Sequence, residues 1–301
     1  MRSTTYAQDA KIAADMKVSI HRNHTPRREN ITLTEIDAEI RETIGRLPGA
    51  VGIATKTLNA SESYFHNEHM TFSAASTIKI HVLLELFNQI RKGEHSLDEP
   101  VRIPLDRRGE MWGRDSSGIL KEIHSVERLS VRDMATLMIV VSDNVATNLV
   151  IDLLGMENIQ NMISALGLRN TRLQRKMMNF ESAASGLDNY STPFDMMTTL
   201  HEIAKGQILD KNFCSMILDI LGRSQGPLGM RRSIPNVVTI EHKTGEMKDA
   251  CHDVGIVRAA RNPFILCVMT KTTSVAECWD TIARLGRIFY NHFNETGNET
   301  S

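Results

Sequence analysis

The chain has 301 residues, 41% of them hydrophobic and 24% charged, and its 35 basic and 36 acidic side chains leave a formal net charge of −1. This composition suffices for a globular core, and the charge balance excludes a general attraction to nucleic acid or to an anionic membrane. No run approaches the roughly 20 apolar residues of a membrane span, so we expect none.

Residues 1–31 mix charged residues, threonine and histidine without a period, and we expect a mobile leader there. The segment lacks the apolar run of a secretory signal, which favours a cytoplasmic location. The four cysteines are scattered and lack Cys-x-x-Cys spacing, so we interpret them as reduced core residues rather than zinc ligands.

A helix is predicted to begin near Thr34, because isoleucines recur at helical spacing until Pro48-Gly49 ends it. Residues 50–58 and 63–66 then read as a β-hairpin. A second helix is predicted from the Leu, Ile and Val spacing of residues 78–90, with Ser76 and Lys79 in its first turn and Gly93 at its end.

Helices are also predicted across residues 130–154, interrupted by the polar run Ser142-Asp143-Asn144, and across residues 157–166 and 193–208. The irregular stretch 169–192 is long enough to indicate a functional loop. Three strands (237–240, 254–259 and 264–270) and an amphipathic helix (275–293) complete the predicted elements.

Strands at both ends with helices between them predict an α/β (α+β) fold, in which helices flank one antiparallel sheet and an all-helical insertion interrupts it. We expect a discontinuous sheet domain formed by residues 32–75 and 223–295. Residues 76–222, with the loop 169–192, form the helical domain, and residues 296–301 form a tail.

Three short motifs appear in order along the chain, and each is weak evidence alone: Ser76-x-x-Lys79, Ser142-Asp143-Asn144 and Lys243-Thr244-Gly245. Their joint occurrence is rare, and it is the set found in class A β-lactamases and penicillin-binding proteins. The alternatives are a helix cap with a solvated lysine for the first motif, a polar loop for the second and a strand-end turn for the third.

The first motif suits nucleophilic catalysis. Residues three apart on a helix share a face, so Lys79 can act as the general base for Ser76. The N–H groups at the start of the helix favour the anion formed on attack. The hydroxyl of Ser142 would relay a proton to the leaving nitrogen, and Asn144 would hold Lys79 or the substrate amide.

The third motif suits substrate binding. Lys243-Thr244-Gly245 is expected after the strand 237–240, at an edge where glycine allows close approach of a substrate backbone. Lys243 would supply positive charge for a substrate carboxylate and lower the pKa of Ser142. The backbone N–H of Glu246 would join that of Ser76 as the oxyanion hole.

From about Ile36 to Phe293 the chain resembles the class A β-lactamase and penicillin-binding group. Besides the three motifs, the resemblance rests on residues 129–154 and on Thr171-Arg172-Leu173-x-Arg175, which looks like the start of the family's Ω-loop. It implies an acyl-enzyme on Ser76 and the family's fold. Trp112 would be the aromatic residue that gates the cleft, or else a buried loop anchor.

The chain departs from the family at the Ω-loop, where the glutamate that activates the deacylating water is replaced by Met177. Glu181, four residues on, is either a substitute base or an exposed carboxylate, and Met177 is expected to pack as apolar filler. Asn189 stands where an aspartate would pair with Arg175, and Asp188 beside it is the alternative.

A second departure is Glu246, whose charge, with that of Asp253, would repel an anionic substrate unless it faces solvent or a basic group compensates. His242 and His252 receive no role. The hypothesis is a serine hydrolase acting on a small-molecule β-lactam without metal or cofactor; the alternatives are an esterase or peptidase on another acyl compound and a β-lactam-binding protein that stays acylated. The sequence does not indicate the oligomeric state.

Overall fold

A computed structural model describes residues 34–59, 61–104, 116–226 and 228–295. Its main sheet has five antiparallel strands: β1 (Gly49–Thr57), β2 (Ser63–His66), β7 (Ile240–Met247), β8 (Ala250–Val257) and β9 (Phe264–Thr272). Their order in the sheet is β2-β1-β9-β8-β7, so the first and last thirds of the chain assemble it together. This arrangement confirms the predicted fold class.

Two-stranded pairs hold the loops between the sheet and the helices: β3 (Phe72–Ser73) with β6 (Tyr190–Ser191), and β4 (Pro100–Arg102) with β5 (Arg128–Ser130). The helices are α1 (Thr34–Gly45), α2 (Lys79–Lys92), α3 (Val131–Val140), α4 (Asn144–Leu154), α5 (Met156–Ala165), α6 (Phe180–Ala184), α7 (Pro193–Ala204), α8 (Lys211–Gly222) and α9 (Val275–Glu295). Within the described ranges no helix is both long and apolar enough to cross a bilayer.

Two hydrophobic clusters lie on opposite faces of the sheet, because alternate strand residues point to opposite sides. One cluster unites α2 to α5, α7 and α8 with strand residues such as Val254 and Cys267. The other unites α1 and α9 with strand residues such as Cys251 and Val268. The buried α2 therefore packs within the helical layer, and the 3-10 turn Ala75–Ile78 that leads into it lies beside β7 and β8.

Several predicted elements are confirmed: the helix from Thr34, the hairpin, the helix that ends at Gly93 and the closing helix. The four cysteines are buried and free, as expected. Helix α8 was not predicted, although Asp210 caps it by accepting from the N–H groups of Asn212 and Phe213.

The strand predicted at 237–240 is wrong. Val237 is 93% exposed, and the strand begins at Ile240 and continues through the third motif to Met247. Lys243-Thr244-Gly245 therefore lies within β7 rather than after a strand. As expected, β7 is an edge strand, because it occupies the end of the sheet order. The next strand also begins earlier than predicted, at Ala250.

Candidate active site

Lys79 connects the first two motifs. It is the first residue of α2 and its side chain is fully buried. Its ammonium nitrogen lies 2.8 Å from the carbonyl oxygen of Ser142, 3.1 Å from the Ser142 hydroxyl and 2.8 Å from Oδ1 of Asn144. The lysine is thus held between the start of α2 and the start of α4.

Ser76 lies in the 3-10 turn Ala75–Ile78, which leads directly into α2, and its side chain is partly exposed. The residue before it, Ala75, has a φ of 47°, a left-handed conformation that is costly for a residue with a Cβ. Strain of this kind concentrates where a side chain has to be presented in a fixed direction. Here it presents the hydroxyl three residues from Lys79.

The third motif lies against the same turn. A Cβ placed on Gly245 would be 3.1 Å from the Cβ of Ala75 and 3.2 Å from Cγ2 of Thr77, which is closer than ordinary contact. Glycine at this position therefore lets β7 approach the turn that holds Ser76. The three motifs, spread over residues 76–245 of the sequence, meet in one place.

The second motif is held in shape by Asp143, which is completely buried and caps α4. One carboxylate oxygen accepts from the N–H of Ala146 at 2.9 Å, and the other accepts from the N–H groups of Ile119 and Leu120 at 2.6 and 2.8 Å. Ser142 before it has a φ of 55°. Asp143 thereby fixes the strained turn that aims the Ser142 hydroxyl at Lys79.

Burial dominates the electrostatics of the two lysines. It lowers the pKa of Lys79 well below the usual lysine value; the positive charge of Lys243 acts in the same direction, and the charge of Asp143 opposes it. Burial also lowers the pKa of Lys243 to about 8, although Asp253 partly offsets the effect. Lys79 therefore has access to its neutral amine form, which a proton acceptor requires.

Met177 occupies the Ω-loop position at which the family resemblance places a glutamate, and it is buried in the helical core. Asn148 on α4 fixes its backbone: the Met177 N–H donates to Asn148 Oδ1 at 2.8 Å, and Asn148 Nδ2 donates to the Met177 carbonyl at 3.1 Å. The expected packing of Met177 as apolar filler is confirmed. Asn148, one helical turn beyond Asn144, is a supporting residue that could have been found by its spacing.

Asp188, rather than Asn189, pairs with Arg175. The Arg175 Nε lies 2.6 Å from Asp188 Oδ1, and both side chains are almost fully buried. Asn189 instead holds the loop backbone, because its Oδ1 accepts from the N–H groups of Gln174 and Arg175 and its Nδ2 donates to the Arg175 carbonyl. The position assigned to Asn189 is corrected in favour of the alternative.

The loop is also bonded to the segment before the nucleophile. The Ser73 hydroxyl donates to Asp188 Oδ2 at 2.6 Å, and the Ala74 N–H donates to the Asn189 carbonyl at 2.7 Å. Ser73 and Ala74 immediately precede the strained residue Ala75. The Ω-loop and the position of Ser76 therefore depend on shared hydrogen bonds.

His252 supports the same segment from the sheet. Its Nδ1 accepts from the Thr270 N–H at 3.1 Å, so its Nε2 carries the proton and donates to the Ser73 carbonyl at 2.7 Å. Burial lowers the pKa of His252 to about 4, which keeps this neutral tautomer at physiological pH. The sequence analysis assigns no role to His252, because no spacing rule links it to Ser73.

Two predicted acidic side chains, those of Glu181 and Glu246, make no described hydrogen bond with Lys79, Ser142 or Asn144. Glu181 is exposed on the short helix α6, as in its alternative interpretation, so the structure does not support it as a substitute base. The carboxylate of Glu246 accepts from Trp279 Nε1 of α9 at 2.9 Å and is held there rather than at Ser76. Trp112 lies outside the described residues. Among those described, no three His, Cys, Asp or Glu side chains converge as a metal site would need.

A sequence model of a family described as the beta-lactamase enzyme family matches residues 35–293. A β-lactamase from Bacteroides uniformis is 24% identical over 274 residues, which cover 86% of this chain and 91% of that protein. β-Lactamase VEB-1 from Pseudomonas aeruginosa is 21% identical over 280 residues, covering 88% and 91%.

Solved structures of other proteins also resemble this fold. A β-lactamase from Sphaerobacter thermophilus superposes with a TM-score of 0.80 at 25% identity, covering 89% of this chain and 100% of that one. PBP-A superposes with a TM-score of 0.78 at 25% identity, covering 87% and 97%. A PBP-A variant solved as an acyl-enzyme complex with penicillin G gives the same values.

Proposed function

The chain belongs to the β-lactamase enzyme family, and we propose that it is a serine hydrolase whose Ser76 is acylated by a β-lactam. The observation that carries the proposal is the fully buried Lys79, bonded to Ser142 and Asn144 and one helical turn from Ser76. Burial favours the neutral amine of Lys79, and its hydrogen bonds fix the direction of its side chain. A general base requires both.

In the proposed acylation, the Lys79 amine removes the proton from the Ser76 hydroxyl as its oxygen attacks the lactam carbonyl carbon. The backbone N–H groups of Ser76 and Glu246 would stabilise the negative oxygen of the tetrahedral intermediate. When the C–N bond of the ring breaks, the nitrogen needs a proton. The Ser142 hydroxyl, 3.1 Å from the Lys79 amine, would pass that proton on.

The electrostatics favour a substrate with a carboxylate. Lys243 is buried beside the site, and Thr244 and Gly245 follow it on the edge strand. The carboxylate of Glu246 accepts from Trp279, and that of Asp253 on β8 is fully buried and accepts from the N–H of Met230. The repulsion expected from these two acidic residues is therefore reduced, and we infer that Lys243 binds the substrate anion.

Hydrolysis of the acyl-enzyme needs a base that activates water, and neither of the two residues considered for that role is suited to it. The thioether of Met177 cannot activate water, and Glu181 is exposed. We therefore propose that acylation is faster than deacylation, so that the acyl-enzyme accumulates. The extreme of this behaviour is the second candidate function, a β-lactam-binding protein that stays acylated. The PBP-A variant trapped with penicillin G is a relative in which such an intermediate was observed.

A chromogenic cephalosporin tests the proposal. We expect a rapid colour change equivalent to one molecule per protein, followed by a slow linear phase, and a mass increase on the peptide that contains Ser76. Ser76→Ala should abolish both, whereas Ser164→Ala, on the exposed face of α5, should leave both intact. A burst without a subsequent phase identifies the acyl-trapping protein. Failure of several β-lactams to label Ser76 would refute the proposal and favour another acyl substrate.

A further inference from the structure

An open cavity of about 550 Å³ lies apart from the residues of the proposed acylation. Its walls are α1, α9 and the 3-10 turn Gly229–Arg232 with the following Ser233. Helices α1 and α9 cover the face of the sheet opposite the one that packs on α2, the helix that begins with Lys79. Small-molecule sites in proteins have volumes of roughly 300–1,000 Å³, so this cavity has room for one small molecule.

Close packing fixes the three walls of the cavity relative to one another. A Cβ on Gly286 of α9 would lie 3.3 Å from Cα of Met230 and from Oγ of Ser233, so glycine allows the turn to rest directly on the helix. Side chains of α1 and α9 are buried together in one hydrophobic cluster. Ala283 and Ile288 also line the cavity and are only 8% and 6% exposed, so they form an apolar floor.

Four arginines and three carboxylates line the cavity, and two ion pairs engage two of the carboxylates. On α1, Glu42 pairs with Arg46. Asp280 of α9 pairs with Arg232 of the 3-10 turn. Arg284 stands one helical turn after Asp280, which is the usual spacing of an ion pair within a helix. Because Asp280 is bonded to Arg232 instead, Arg284 is left without that partner.

Arg284 and Arg287 carry the cationic groups of the cavity that remain unpaired. Both are exposed, and neither forms an ion pair or a hydrogen bond with any other residue that the structure describes. They lie three residues apart on α9 and line the same cavity, and like charges at this spacing destabilise a helix. The third wall carboxylate, that of Glu39, is exposed on α1 and pairs with neither arginine. An anion held between the two guanidinium groups would remove their repulsion.

We propose that this cavity binds a small organic phosphate, whose phosphate oxygens accept from Arg284 and Arg287 and whose apolar part lies on Ala283 and Ile288. Guanidinium groups suit phosphate because their planar N–H donors match two of its oxygens at once. A phosphate monoester carries nearly two negative charges at neutral pH, so it matches two cations. The site is separate from Ser76, and the inference does not depend on the proposed acylation.

Isothermal titration calorimetry of the full chain with AMP, inorganic phosphate and adenosine tests this proposal. We expect AMP to bind at one site per chain with a Kd below about 1 mM. Inorganic phosphate should bind more weakly, because it does not reach the apolar floor, and adenosine should not bind, because it carries no anion. Arg284→Gln/Arg287→Gln should weaken AMP binding at least about tenfold. Both positions are exposed and glutamine is a good helix former, so this variant should fold.

Arg132→Gln/Arg223→Gln is the matched control, because it removes two exposed arginines from α3 and from the end of α8 and changes the net charge equally. Its affinity for AMP should equal that of the unmodified protein, and an equal loss in both double variants overturns the inference. So does a failure of AMP to bind, or binding of adenosine or inorganic phosphate as tight as that of AMP. An affinity unchanged in Arg284→Gln/Arg287→Gln also overturns it, because AMP would then bind elsewhere, as at Lys243.

Discussion

Replacing Asp188 by alanine should lower both the stability of the protein and the rate at which Ser76 is acylated. The Arg175–Asp188 pair joins side chains that are only 6% and 11% exposed, at 2.6 Å, and Asp188→Ala leaves the buried guanidinium without its counter-charge. Breaking a buried pair from one side costs about 3–5 kcal/mol. For a domain of this size, that corresponds to a fall in melting temperature of about 10 °C.

The same change should slow the reaction at Ser76. Asp188 also accepts from the hydroxyl of Ser73, three residues before the nucleophile. A displacement of about 1 Å at a reacting group can cost on the order of 10²-fold in rate. We therefore expect acylation by a chromogenic cephalosporin to fall about 10- to 100-fold.

The neighbouring ion pair between Lys176 and Asp152 provides the control. Its side chains are 36% and 49% exposed, so Asp152→Ala should cost no more than about 1 kcal/mol. Calorimetry and stopped-flow mixing measure the two effects on both variants. The reasoning fails if Asp188→Ala melts and reacts as Asp152→Ala does.

Four further predictions concern single positions. Lys79→Arg keeps a cation but removes the proton acceptor, so the burst rate should fall by about 10²–10⁴-fold in stopped-flow mixing, and a smaller loss would exclude Lys79 as the base. Met177→Glu supplies a carboxylate at the Ω-loop position, so the slow phase should accelerate while the burst amplitude persists; an unchanged slow phase would show that Met177 does not limit deacylation. Asn148→Leu leaves the N–H and the carbonyl of Met177 unpaired, so the free energy of unfolding should fall by about 1–3 kcal/mol per group. Urea unfolding measures this, and a variant as stable as the unmodified protein would contradict the prediction. Burial lowers the pKa of His252 to about 4, whereas a histidine in the unfolded chain has a pKa near 6.5, so the unfolded state binds more protons between pH 4 and 6.5. The free energy of unfolding should therefore fall by about 3 kcal/mol as the pH drops through that range. His252→Gln should flatten this part of the stability profile, and a slope equal to that of the unmodified protein would refute the assignment.

Local patterns predicted much of the fold, because they report burial within one element. The helix from Lys79 to Lys92 is apolar at helical spacing and ends at Gly93, whose φ of 77° suits a glycine. The hairpin was also predicted locally, because a turn separates two short strand-forming segments. Such signals need no knowledge of what packs against the element.

The position of β7 could not be found in this way. Val237 is apolar but exposed, whereas His242 and Lys243 are polar and fully buried. Their burial depends on partners outside the strand itself, such as Asp253 of the neighbouring strand β8 for His242. A pattern that assumes apolar residues inside and polar residues outside therefore places the strand several residues too early.

The candidate site was likewise predictable in part. The motifs identified Lys79, Ser142 and Asn144, and the structure brings these side chains together. The choice between Asp188 and Asn189 as the partner of Arg175 depended on one residue of loop length, which sequence spacing does not resolve. Hydrogen bonds decide it, because the Asn189 side chain is used for the loop backbone.

The edge position of β7 has a consequence for the behaviour of the protein in solution. Within the described sheet, one side of β7 has no strand partner, so its N–H and C=O groups can pair with any extended chain, a neighbouring copy included. Glu246, Lys248 and Asp249 are exposed where the strand ends, and charges of this kind discourage such pairing. The edge at which we propose that the substrate binds is thus also a surface through which copies of the chain could pair, and exposed charges at its end disfavour that pairing.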